Sequence, residues 1–411
     1  MSARIAACRA CGSRRLRPFV DLGETPSANA YRPPEDKDKP EIRAPLRTVL
    51  CEDCRLVQVD YDMPPSDLFS DYAYFSSYST SWVEHARRFC LAARQRLGLG
   101  AASQVIEVAS NDGYLLRHFV ELGVPVLGIE PAANVAEVAV AAAVPTEVRF
   151  FGVDTARDLA ARGLAADLIV GNNVFAHVPD INDFVAGLGI ALKDHGVISL
   201  EFPHLLRLIQ EVQFDTIYHE HFSYFSLLAV ERVMGRHGLA LFDVEELPTH
   251  GGSLRVWVAK DGRAALPGGL AKVRGEEAAA GLDRNEIYDA FAARVARCRR
   301  ALLDFLSQAK QERRTVVAYG AAAKGNTLLN SCGVTSADIP YVVDRNPHKQ
   351  GRLLPGSQIP VADPSRIFET KPDYLLILPW NLKDEIMGQM AEIRGWGGRF
   401  VIPVPEAKVL P

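Results

Sequence analysis

Long apolar runs are what this sequence most plainly lacks. No uninterrupted apolar stretch in its 411 residues reaches the length of a bilayer-crossing helix, so no membrane span is expected. The N-terminus also lacks the basic-then-apolar order of a secretion signal. Neither sign of charge is in excess: 46 Lys and Arg face 50 Asp and Glu, for a net charge of −4. That balance gives no global reason to expect nucleic acid or an anionic membrane as partner. Internal repeats and long low-complexity tracts are missing too. Cysteine is scarce and odd in number, with seven residues of which four form two Cys-x-x-Cys pairs. This pattern suits a metal site in a reducing compartment better than a disulfide scaffold. The expectation is a soluble, cytoplasmic protein. Its length predicts two or three domains, and its 48% apolar content suffices for more than one core.

Three textures follow one another along the chain. Residues 1–75 are rich in turn formers, including the exposed-looking PPEDKDKP (33–40), and show no long helical pattern. Residues 76–262 begin with helical spacing of Trp82, Ala86, Phe89 and Leu97. Short apolar strands at 104–109, 125–130, 166–172 and 196–202 then alternate with helical stretches. Such interleaving predicts a mostly parallel, doubly wound α/β sheet. Two strand-like runs within 239–260, joined through PTHGG, predict a closing hairpin, and a sheet finished in this way is the build of a class I methyltransferase. After the linker-like DGRAALPGG, residues 263–411 predict a long helix over about 283–312. Strands near 315, 339, 374 and 399 follow, giving a second, smaller α/β unit.

Cys8 and Cys11, with Cys51 and Cys54, offer four thiolates. A Cys-x-x-Cys turn brings two sulfurs to about 4 Å, the spacing zinc needs at about 2.3 Å from each. Arg9 and Arg55 beside the pairs favour thiolate. Four cysteines leave no open coordination position, so the reading is structural zinc.

VIEVASNDGYLL (105–116) runs strand, turn, helix. Glu107 sits at the strand end, Asn111 and Asp112 in the turn, and Gly113 where a backbone approaches closely. Glu130 ends the next strand, 17 residues after Gly113, where a carboxylate can take both hydroxyls of a ribose. NAD would want Gly-x-Gly-x-x-Gly and a pyrophosphate on the helix N-terminus. That fingerprint is missing, and acidic residues stand where phosphate would lie. Acid and amide groups suit the sulfonium and amino end of S-adenosylmethionine, and Asn172, ending a later strand, joins this cofactor-binding set. A plain structural βα turn is the bland alternative.

IYHEHFSYFS (217–226) packs two imidazoles, a carboxylate and two phenols into ten residues. His-Glu-His is not the His-Glu-x-x-His of a zinc protease. A satisfied structural loop competes with a general-base cluster, and the density of groups favours the cluster. His177 follows the strand 166–172, and ligands bind at strand ends in open α/β sheets. Tyr72, Tyr74 and Ser76 add hydroxyls at the join of the first two segments, where interdomain packing explains the tyrosines equally well. In YGAAAKGN, Gly320 opens a turn able to face a diphosphate, with Lys324 adding charge and Asn326 beside it. Arg345, Lys349 and Arg352 are further cations for phosphate, or merely a solvated basic loop.

Taken in order, CRACG…CEDC, EVASNDGYLL, NNVFAHVPD, FDTIYHEHFSYFS, LPTHGGSLRV, YGAAAKGNTLLN and VVDRNPHKQGRLLPGSQIPV give a chain that resembles, over nearly its whole length, the sugar C-methyltransferases of deoxysugar biosynthesis. The resemblance implies a class I methyltransferase domain that binds S-adenosylmethionine. A small N-terminal domain with zinc on Cys8, Cys11, Cys51 and Cys54 flanks it on one side, and a C-terminal Rossmann-like domain that helps hold a nucleotide-linked keto sugar flanks it on the other. It carries active-site roles onto Tyr72, His177, Tyr218, Glu220 and His221. The chemistry expected is proton removal beside a C4 ketone and attack of the enolate on the sulfonium methyl. His221 is the expected base and Tyr218 its alternative or relay. Glu220 would orient the imidazole, and His177 and Tyr72 would hold the oxygen. N- or O-methylation of a sugar, and a non-catalytic nucleotide-sugar binder, are the rival readings. A zinc-ribbon nucleic-acid binder fits least, for want of a basic stripe. The sequence sets no oligomeric state, and a monomer is compatible with it.

Overall fold

A computed structural model of the chain describes residues 3–62, 76–260, 262, 266 and 268–411. Sheets of four, seven and six strands define three lobes.

The first lobe is an antiparallel sheet in which Leu16–Thr25, Ala44–Cys51 and Val57–Val59 pair in sequence. Its fourth strand is Ser223–Tyr224, which arrives from far along the chain and pairs with Gln58 and Val57. Sequence periodicity could not reveal this strand, because two residues carry no pattern.

The middle lobe is a seven-stranded sheet. From one edge it runs 146–147, 126–129, 105–108, 166–172, 192–203, 253–260 and 239–247. Counted along the chain, that order is 3-2-1-4-5-7-6. All strands are parallel except Ser253–Lys260, which runs against both of its neighbours. This is the class I methyltransferase sheet expected above, and the predicted hairpin is its edge. The strand Val105–Val108 is buried on both faces, as a central parallel strand should be. The helix Thr80–Leu97 starts at a Ser79 cap and ends at left-handed Gly98, and it buries Ala86, Phe89, Cys90 and Ala93 against the sheet.

The third lobe is a six-stranded sheet in the order 361–362, 342–343, 316–319, 374–377, 399–402, 408–410. This is the 3-2-1-4-5-6 order of a Rossmann-like fold with an antiparallel last strand. The helix predicted over 283–312 is two helices, Glu286–Asp289 and Phe291–Gln311. The break falls where Tyr288 and Phe291 both turn onto Phe19 of the first lobe, with ring centroids 6.0 and 4.5 Å away. The longer helix then buries Val295, Cys298, Leu302, Leu306 and Ala309 along one face.

One core joins all three lobes. Leu46, Leu50 and Val57 of the first lobe pack in a single cluster with Leu205–Ile217 side chains of the second and Leu328, Leu354 and Leu376 of the third. Among the described residues no helix is long and apolar enough to cross a membrane.

Glu277 pins the helix Gly269–Ala280 to the middle lobe. Its buried carboxylate accepts from the Leu227 and Leu228 amides at 2.6 and 2.9 Å, capping the helix Leu227–Gly235, and it meets His204 Nε2 at 2.7 Å. Glu277→Ala leaves two amides and a buried imidazole unmatched. It is expected to cost about 3 kcal/mol, read as a lower urea midpoint, with Glu277→Gln recovering part of the loss.

Candidate active site

The two cysteine pairs converge. Each pair is a tight knuckle: the Gly12 amide donates to the Cys8 carbonyl and the Arg55 amide to the Cys51 carbonyl, both at 2.9 Å. The residue after each second cysteine takes the left-handed conformation, Gly12 at φ 73° and Arg55 at φ 63°. The four sulfurs lie within 4.8 Å of one another, with Cys8–Cys54 and Cys11–Cys51 both at 3.5 Å. Tetrahedral zinc with bonds of about 2.3 Å requires sulfur–sulfur edges of about 3.8 Å, so the donor set fits that ion and is closed to substrate. The knuckles rest on the middle lobe. Asn182 Nδ2 donates to the Arg9 and Ala10 carbonyls, and Arg232 donates to the Asp53 carbonyl.

At the C-terminal ends of the central strands the loop 109–113 turns sharply, with Ala109, Asn111 and Gly113 all at positive φ. A Cβ on Gly113 would press on Val144 and Ala139 at 3.1–3.2 Å. Glu130 accepts the Asn111 and Ala132 amides, both at 2.9 Å. Asp112 accepts the Ser77 amide and hydroxyl, and Asn111 Oδ1 accepts the Ser76 amide at 2.9 Å. The Ser76 backbone thus rests on the loop 109–113. Glu107 Oε2, Asp112 Oδ1, Ser110 Oγ and both amide atoms of Asn172 are buried with no hydrogen-bond partner among the described residues. Burial, with Glu130 and Asp112 nearby, pushes the Glu107 carboxyl well above the usual carboxylate range, and burial raises Glu130 as well. Buried acids and amides left wanting partners fit a ligand that brings hydroxyls and positive charge, as S-adenosylmethionine does.

Across the cleft, the turn before Ser223–Tyr224 presents Tyr218 and His221. Their ring centroids lie 3.9 Å apart, and His177 stands edge-on to His221 at 4.6 Å. His221 Nδ1 donates to the Thr216 carbonyl at 2.9 Å, which leaves the lone pair on Nε2. Burial and the neighbouring His177 hold His221 well below the ordinary imidazole range, and burial brings His177 down to about 4.

Glu220 does not orient the imidazole, as the sequence had suggested. It turns to the first lobe, accepting from Asn29 Nδ2 at 2.7 Å and Ser27 Oγ at 3.2 Å, and burial pushes it up to about 7. The Thr216 carbonyl has the orienting place instead. Tyr72 and Tyr74 lie outside the described residues.

In the third lobe the Gly-rich turn packs tightly on its neighbours. Gly320, at φ 94°, is needed because a side chain there would strike Pro379. Lys324 donates to Asn381 Oδ1 at 2.7 Å and lies 4.8 Å over the Trp380 ring. Trp380 in turn donates to the buried Asp215 at 2.7 Å. The Lys324 charge is felt at His221 and His250. Asn326 is buried and donates to the Ala28 carbonyl at 2.7 Å, tying lobe to lobe. Arg345 and Arg352 are exposed. Lys349 donates to the Ala321 carbonyl at 2.7 Å. Sequence reasoning missed the group formed by Trp82, His85, Glu201, Arg255 and His250. PTHGG had been read only as a turn, and a His, Glu or Arg alone on a strand or helix gives no signal.

Replacing Cys51 with Ser should reduce bound zinc from one ion per chain and lower the melting temperature, measured by metal analysis and calorimetry. Asp112→Ala should weaken S-adenosylmethionine binding about tenfold in titration calorimetry without unfolding the chain.

Three family models match in order: a zinc binding domain over residues 8–69, a methyltransferase domain over 82–244, and a C-methyltransferase C-terminal domain over 248–405. The chain is 35% identical to the C-methyltransferase NovU of Streptomyces niveus over 407 residues, 99% of this chain and 97% of that one. Solved structures similar to parts of it include the magnesium protoporphyrin IX methyltransferase ChlM from Synechocystis PCC 6803, 14% identical with a TM-score of 0.33, covering 44% of this chain and 78% of that one. Another is the CcbJ methyltransferase from Streptomyces caelestis, 13% identical with a TM-score of 0.34, covering 44% and 90%. The matched sequence and the closed cysteine quartet lead to one conclusion: the chain belongs to the zinc-binding, S-adenosylmethionine-dependent C-methyltransferases.

Proposed function

We propose that this enzyme methylates C3 of a nucleotide-linked 4-keto deoxysugar through an enolate. One observation carries the reading: a half-buried imidazole, His221, is pinned through Nδ1 so that its basic nitrogen is free, and it lies against a phenol and a second imidazole.

A carbon acid needs a base and an oxygen-side donor at the same moment. The ketone acidifies the neighbouring C–H because the electron pair can move onto oxygen. His221 Nε2 takes that proton, and the pair left behind forms the enolate. Tyr218 and His177 donate to the developing oxyanion, with Tyr72 as a further donor. His177, kept neutral by burial, serves as a hydrogen-bond donor without carrying charge. When bound, S-adenosylmethionine supplies an electrophilic methyl group to the carbon. The ketone re-forms and the proton leaves His221 for solvent. A His221 held so far below its ordinary range is a weak base in isolation. The enolate's negative charge beside the new imidazolium offsets this, because opposite charges attract strongly where water is excluded. Lys324 faces the same cleft and adds positive potential at the oxyanion.

The nucleotide is assigned to the third lobe. Its Rossmann-like strand order, the turn whose Ala321 amide binds Asp344 Oδ2 at 2.7 Å, and the exposed Arg345 and Arg352 support that assignment. Glu220 holds the catalytic turn against Asn29 and Ser27.

His221→Ala should abolish loss of deuterium from C3 of a 4-keto nucleotide sugar, by at least about 100-fold, while S-adenosylmethionine still binds. Washout at the normal rate would remove His221 from the base role, and methylation without any washout in the unaltered enzyme would favour N- or O-transfer. The pH profile gives a second check. A base whose pKa is lowered stays unprotonated as pH falls, so with His177 and His250 near 4 as its imidazole neighbours, the rate should hold between pH 8 and about 6.5 and decline only below.

A further inference from the structure

The turn between the last two strands of the middle sheet carries a residue in the wrong backbone for its type. His250 has φ 56° and ψ 20°, a left-handed conformation that costs a non-glycine residue about 1 kcal/mol or more. Glycine follows it twice, so the chain could have placed a glycine there as well. The turn is clamped on both sides. Thr249 Oγ1 donates to the buried Glu201 at 2.9 Å, and Glu201 is held by His85 at 2.8 Å and Arg255 at 2.7 Å. The Gly251 carbonyl accepts Gln213 Nε2 at 2.7 Å, and a Cβ on Gly251 would come within 2.5 Å of the Trp380 ring.

Between these clamps the His250 ring stands edge-on to Trp82 at 5.4 Å, and Trp82 stacks on His85 at 4.9 Å and near Tyr114 at 6.1 Å. His250 Nδ1 is buried with no hydrogen-bond partner among the described residues. The charged and titratable groups around it are Lys324 from the third lobe, His221 from the catalytic turn, and Glu201 and His85 from the cofactor side. A strained residue and an unmatched buried nitrogen, both fixed by their surroundings, occupy the seam between the methyl-donor lobe and the lobe assigned to the nucleotide.

We propose that His250 hydrogen-bonds a hydroxyl or carbonyl of the acceptor and positions its reacting carbon against the methyl donor. The acceptor class is a hydroxylated ketone, and that assignment rests on the function proposed above. Burial keeps the imidazole neutral, at about 4, so it can serve such a group without placing a second cation beside the sulfonium. His250 holds the acceptor and moves no proton. The isolation of C–H exchange from methyl transfer is therefore its signature.

The test uses the full chain and a panel of nucleotide-linked 4-keto deoxysugars deuterated at C3. His250→Asn and His250→Gly both tolerate the left-handed backbone, so melting temperature should be unchanged or higher. With S-adenosylhomocysteine in the cofactor site, deuterium washout should remain within a few-fold of the unaltered enzyme. With S-adenosylmethionine, product formation should fall about 100-fold, the loss expected for an acceptor misplaced by about 1 Å. Product formation at the normal rate in both variants overturns the proposal. So does a parallel fall of washout and methylation, which would place His250 in the proton step. No washout in the unaltered enzyme sinks the enolate reading alone. The His250 assignment is then decided by product formation, and a fall at full S-adenosylmethionine affinity sustains it.

Discussion

The segment 205–225 is the constraint on which the rest of the molecule depends. Its apolar side chains from Leu205 to Ile217 sit in the one core shared by all three lobes. Near its end, Ser223 and Tyr224 complete the first-lobe sheet. Tyr218 and His221 lie between these two anchorages, so both rings are fixed by burial on one side and by strand pairing on the other. Apolar burial at roughly 25 cal/mol per Å² thus supplies positional accuracy that a surface loop would lack. Thr327 fastens the same segment from the third lobe, donating to the Ile217 carbonyl at 3.0 Å, and Asn326 beside it fastens the first lobe, donating to the Ala28 carbonyl at 2.7 Å.

Charge is distributed in a complementary way across the cleft. On the donor side, acids are buried beside one another, and Glu107 and Glu130 are both raised. On the other side, half-buried imidazoles gather near one another and near Lys324, and His177, His221 and His250 are all lowered. Each half is uncomfortable without its ligand: one lacks positive charge, the other lacks negative charge. A cationic donor and an acceptor that becomes anionic would relieve both. The same low dielectric that makes the empty cleft costly makes the occupied one selective.

Much of this was legible in the sequence, for identifiable reasons. Short-range chemistry was readable: the Cys-x-x-Cys spacing led to four converging sulfurs, and the Glu107–Gly113 turn led to the cradle at the strand ends. The alternating strand and helix pattern led to the doubly wound sheets. What depended on long-range pairing was not readable. The two-residue strand Ser223–Tyr224 has no period, and the orientation of Glu220 follows from Asn29 and Ser27, nearly two hundred residues earlier. His250 was hidden inside what read as a hairpin turn, since strain is a property of dihedral angles and not of residue type.

The borrowed strand has a consequence for how the molecule comes into being. As the polypeptide leaves the ribosome, the sheet of the opening lobe is missing a member until some two hundred residues have followed it. The ring of Phe19 waits longer still for Phe291. Early emergence therefore gives no early completion: the cysteine knuckles can close on their ion locally, but the wall behind them stays open until the turn carrying Tyr218 and His221 is delivered. Assembly of the scaffold and assembly of the reaction centre are one event, so a nascent chain cannot acquire the first without the second.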